Sequence, residues 1–75
     1  MELSKHAIKR IEERKLKYQW ILETIENPDK VDYISDTEVR YFKKIKSADN
    51  KVLKVVVNPE RNIIITAYFD RGAKL

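Results

Sequence analysis

Three side chains near the start of the chain carry N–H donors at a spacing of four: His6, Arg10 and Arg14. On a helix that spacing sets them on adjoining turns of one inclined row. Such a row can hold a phosphate, because each guanidinium donates to two of its oxygens. A neutral imidazole in the row can take up a proton, as a general base must. Late in the chain Thr66 and Tyr68 alternate with Ala67, which on a strand puts two hydroxyls on one side about 7 Å apart. Arg40 shares a strand face with Phe42 and Lys44, and five lysines (Lys43, Lys44, Lys46, Lys51 and Lys54) gather around one turn with only Asp49 to offset them. That cluster is a landing patch for RNA phosphates. Each group also has a plain structural role. His6 can be a surface or capping histidine, and the arginines can pair with Glu13 or a strand carboxylate. Thr and Tyr are favoured in strands for packing alone, and lysines guard sheet edges against pairing.

Composition narrows the chemistry. The single Gly excludes a Gly-rich phosphate loop. One His and no Cys argue against structural zinc and remove a thiol nucleophile. The carboxylates are scattered, with no pair placed for Mg²⁺. Hydrolysis by this chain is therefore expected to be metal-free and to need no cofactor. The 75 residues allow one domain, spanning 1–75, with a modest core. A chain that is 43% apolar and 37% charged is globular rather than disordered. No apolar run is long enough to span a bilayer, and residues 1–20 carry Lys and Glu throughout. A cytoplasmic location without membrane contact is the expectation. The net charge of +4 is unevenly placed: residues 1–29 balance six basic against six acidic side chains, while residues 30–75 hold ten basic against six acidic. Clustered basic residues with a pI near 9.4 mark a polyanion binder.

The elements that must position these groups are legible in outline. Ser4 can cap a helix over about 5–14, with Leu3, Ala7, Ile8 and Ile11 on one side. After a polar joint over 13–17, Tyr18, Ile21, Leu22 and Ile25 predict a second amphipathic helix over about 17–27, with Trp20 off the stripe and Pro28 as its stop. Strands are expected at about 31–35, 38–45, 51–58 and 62–69. On the last of them Ile64, Thr66 and Tyr68 should share a face. The short gaps predict an α+β domain: two N-terminal helices packed on one face of a four-stranded antiparallel sheet.

In order, Leu3-Ser4-Lys5-His6-Ala7, Arg10, Arg14, Glu26-Asn27-Pro28-Asp29, Arg40-Tyr41, Leu53 to Val57 and Ile65-Thr66-Ala67-Tyr68 resemble an uncharacterised bacterial and archaeal domain family grouped with the RelE/ParE-like toxins. The resemblance implies the compact RelE-like fold, and with it a metal-independent endoribonuclease of toxin type and a cognate antitoxin protein as partner. In that reading His6 takes the 2′-hydroxyl proton and Arg10, Arg14 and Arg40 stabilise the phosphoryl oxygens. Tyr68 protonates the leaving oxygen, and Thr66 positions the phosphate. The chain departs from RelE-type ribonucleases in lacking a strand before the first helix and in having only residues 70–75 after the last strand. The rival reading is a non-catalytic module of a toxin–antitoxin-like system that binds nucleic acid or protein, with Trp20 as an interface anchor. The two part on geometry. Catalysis requires His6, an arginine and Tyr68 around one phosphate-sized space, whereas Arg40, Thr66 and Tyr68 on the far side of the sheet from His6 favour binding.

Overall fold

A computed structural model describes all 75 residues. Along the chain run β1 (Glu2–Leu3), α1 (Lys5–Glu13), α2 (Tyr18–Glu26), β2 (Lys30–Ser35), β3 (Glu38–Ile45), a 3₁₀ turn (Lys46–Ala48), β4 (Lys51–Asn58) and β5 (Ile63–Phe69). The sheet has five strands in the order β1-β5-β4-β3-β2 and is mixed, because β1 lies parallel to β5. This corrects the four-stranded antiparallel sheet expected with both helices ahead of every strand. The first strand precedes α1 and is only two residues long, too short to show an alternation. It exists through backbone pairing: the Glu2 amide donates to Asn62 O at 3.1 Å and the Ser4 amide to Ile64 O at 3.0 Å.

Ser4 joins helix to sheet. Its Oγ accepts from the Ala7 amide at 2.9 Å, which caps α1, and donates to Ile65 O at 3.2 Å. Ile65 is the extra residue of a bulge, since Ile64 lies opposite Val57 while Thr66 lies opposite Val56. The bulge corrects a second expectation. Ile64 turns to the helical face and is fully buried, whereas Thr66 and Tyr68 turn to the other face.

The joint after α1 is a Schellman ending. The Leu16 amide donates to Ile11 O at 3.0 Å and the Lys15 amide to Glu12 O at 3.2 Å, with Lys15 at φ 55°. Leu16 and Ile11 are both buried, which supplies the apolar contact that accompanies this motif. The core joins Ala7, Ile11, Leu16 and Ile21 to Ile45, Leu53, Val55, Val57, Ile64 and Ala67. α1 lies on β5, and α2 on β3 and β4. The buried face of α2 is rotated from its apolar stripe: Ile21 and Thr24 are buried, while Tyr18 and Leu22 remain exposed. Trp20 packs onto the core, edge-on to Phe69 with ring centres 5.9 Å apart, and its indole N–H donates to Ser47 Oγ at 3.1 Å. Its large ring outweighs the smaller side chains of the stripe in setting the helix's rotation. It is therefore not a free interface anchor.

Candidate nucleic-acid interface

The face of the sheet away from the helices has no second layer to cover it. Four residues directly across from one another, one per strand from β2 to β5, form a row over this face: Lys30, Phe42, Lys54 and Tyr68. Cation and ring alternate. The Lys30 ammonium lies 5.4 Å from the Phe42 ring centre. Lys54 Nζ lies 5.7 Å from the Phe42 centre and 5.2 Å from that of Tyr68. Arg14 closes the row from α1, its guanidinium carbon 5.5 Å from the Tyr68 centre. Lysine stems lie along apolar rings while the heads keep to water, which is how Phe42 comes to be only 5% exposed on a face without helices.

Arg14 reaches the row by passing the edge of β5. Beyond Ile64 that strand has no partner on its outer side, and the Arg14 guanidinium donates there to Ala67 O at 2.9 Å and Thr66 Oγ1 at 3.4 Å. Three of the six residues expected at a catalytic site therefore meet: Arg14, Thr66 and Tyr68. The other three stand apart. His6 is exposed on α1, two helical turns or about 12 Å along the axis from Arg14. Arg10 is tied to Glu13 at 3.1 Å. Arg40 shares the open face but lies two strands, about 10 Å, from Thr66 and is paired with Glu38 at 2.6 Å.

The lysine cluster divides between the faces. Lys44 and Lys54 belong to the open face. Lys54 is nearly buried and sits 3.9 Å from Asp70. Lys43 points the other way and donates to Asn27 O at the end of α2, at 2.8 Å. Lys51 stacks on Phe69, 5.6 Å from its ring centre, and Lys46 is exposed in the 3₁₀ turn. All of them nevertheless collect at one end of the sheet. Lys43, Lys44 and Lys46 border one open hollow there, together with Glu23 and Asp29. Arg14, Lys51 and Arg71 border a second. At the opposite end, the β2–β3 and β4–β5 turns carry Asp36 and Glu60 against Arg61, and Glu38 at the start of β3 is paired with Arg40. The domain is polarised, with a basic end and a more acidic one.

Sequence reasoning missed Lys30, Asn50 and Arg71. Asp70 and Gly72 carried a readable signal for the last of these: Asp70 Oδ1 accepts from the Gly72 amide at 2.9 Å, an Asx turn that the Asp-x-Gly spacing announces. No three His, Asp or Glu side chains converge as metal ligands, and no helix is long and apolar enough to cross a membrane.

No curated protein and no solved structure matches the chain. A domain family does, over residues 3–69, from the paired β1 to the end of β5, and its description is a domain of unknown function. With nearly the whole fold inside that span, the chain belongs to the DUF4258 family.

Proposed function

We infer that this domain binds RNA through the basic end of its sheet. The observation that carries the reading is the excess of cations: Lys43, Lys44, Lys46, Lys51, Arg14 and Arg71 border two hollows against Glu23, Asp29 and Asp70. Phosphate neutralisation by such a surface supplies sequence-independent affinity and steers association. The likeness of the helical row and the Thr66–Tyr68 pair to RelE-like toxins makes RNA the favoured polyanion. The rings of the open face are covered by their own cations, so stacking on bases is a minor part of the contact, and phosphate contacts dominate.

The test is fluorescence anisotropy with a labelled twelve-nucleotide RNA across a salt series. Engagement of about four phosphates gives a log–log slope of roughly −3 for a single strand. Lys44→Ala/Lys46→Ala, both exposed in the wild type, should weaken binding by about tenfold at low salt and flatten the slope by one to two units. Absence of binding at 50 mM salt, or a double variant equal to wild type, would refute the reading.

A second reading, metal-independent RNA cleavage by a toxin-type nuclease with a cognate antitoxin, draws on the meeting of Arg14, Thr66 and Tyr68. It requires cleavage in EDTA that is lost in Tyr68→Phe and Arg14→Ala. Uncut RNA after prolonged incubation with protein that binds it would leave binding alone.

A further inference from the structure

The second hollow, of about 540 Å³, differs from the first in its lining. Cations approach it from three separate segments: Arg14 from the end of α1, Lys51 from the start of β4, and Arg71 from the chain after β5. Two of them are held by rings that are neighbours in sequence and face opposite sides of the sheet, Arg14 on Tyr68 and Lys51 on Phe69. Arg14 spends one nitrogen on Ala67 O and Thr66 Oγ1, which leaves its remaining N–H donors for a ligand. One carboxylate is present, that of Asp70. It is engaged by the Gly72 amide at 2.9 Å and stands 3.9 Å from Lys54. Three cations against one carboxylate leave the hollow with a charge of about +2. The rest of its wall includes Leu16, Val52 and Phe69, a surface suited to a sugar or a base edge rather than to an ion alone.

The geometry points to a site for a nucleoside phosphomonoester, presented as the terminal phosphate of an RNA strand. An internal phosphodiester carries one negative charge, whereas a terminal monoester carries close to two at neutral pH and three free oxygens. The charge of the hollow matches the second. A hollow of this volume also has room for one nucleotide. The inference rests on the RNA-binding reading for the source of the ligand, and the free nucleotide is the other source of the same chemistry.

The experiment has two arms on the full chain. In the first, anisotropy compares one RNA sequence bearing a 5′-phosphate, a 3′-phosphate or neither. Terminal phosphate at one end should tighten binding about tenfold, and Arg71→Ala should reduce that ratio to within twofold of one. Arg71 is exposed, and an unchanged thermal midpoint confirms that the variant folds. Equal binding of all three strands would overturn the strand-end site and leave general RNA binding intact. In the second arm, adenosine monophosphate and adenosine are titrated against the ¹⁵N-labelled protein. The phosphate ester should shift the Asn50, Lys51 and Gly72 amides, and adenosine should not. Shifts with the monophosphate but no RNA binding would retain the pocket, assign it to free nucleotides and refute the RNA reading. No shift with either would overturn the pocket itself.

Discussion

Replacing Lys54 separates what its stem does from what its charge does. The side chain is 12% exposed and lies between Phe42 and Tyr68. Lys54→Ala removes the three methylenes beyond Cβ, and at about 0.8 kcal/mol per buried methylene, scaled for the residual exposure, their loss costs about 2 kcal/mol. The ammonium, shared between two rings, adds about 1 kcal/mol. Its pairing with Asp70 adds little, since 3.9 Å is a long ion pair on a partner with 27% of its side chain exposed. The total is about 3 kcal/mol. Lys54→Met keeps an unbranched stem and discards the charge, so it should cost about 1 kcal/mol. Urea unfolding followed by circular dichroism measures both, and with a slope near 1 kcal/mol/M for so small a domain the midpoints should fall by about 3 M and about 1 M. A methionine variant as unstable as the alanine variant would show that the stem contributes nothing. A methionine variant at least as stable as wild type would show that the alternation of cations and rings contributes nothing beyond area.

Three further outcomes follow from local geometry. Arg14→Ala loses a charged hydrogen bond to Ala67 O and the stacking on Tyr68, about 1.5 kcal/mol after allowance for exposure, and should lower the melting temperature by about 6–12 °C in calorimetry. Lys15→Gly relieves a side chain held at φ 55° and should raise stability by about 0.5–1 kcal/mol in the same urea assay. His6→Ala, at an exposed position of α1, should leave stability within about 0.5 kcal/mol of wild type in the same urea assay.

Much of the frame was legible because it obeys local rules. Ser4 does cap α1, and Pro28 does follow the end of α2. The β-branched run from Val55 to Val57 lies in β4, the strand flanked by β3 and β5. What escaped reading depends on distant partners. Glu2 and Leu3 become a strand only because Ile63 and Ile64 offer an edge. The bulge at Ile65 leaves no trace in a run of three isoleucines, yet it decides that Thr66 and Tyr68 face away from the helices. Leu16 looked like part of a polar joint, and its burial follows from a Schellman ending that uses lysine where glycine is usual. The site residues were visible as types, and Arg14, Thr66 and Tyr68 do meet. Asp70-x-Gly72 announces a turn at Arg71, but the meeting of Arg71 with Arg14 and Lys51 at one hollow depends on segments far apart in the chain. The alternation across the open face needs the register of four strands, and no single segment holds that information.

The bond between Ser4 and Ile65 spans 61 positions, and this bears on the order of assembly. Closing so long a loop in an unstructured chain costs about 4 kcal/mol of entropy, whereas the hairpins of β2 to β5 close over a few residues each. The meander should therefore form first and bring the ends of the chain together, so that the later closure costs less. During synthesis the first helix leaves the ribosome early and has no surface to dock on until β5 emerges. Nascent chains arrested before Ile63 should thus expose Ala7 and Ile11 to chaperones and proteases, and release of a handful of further residues should hide them.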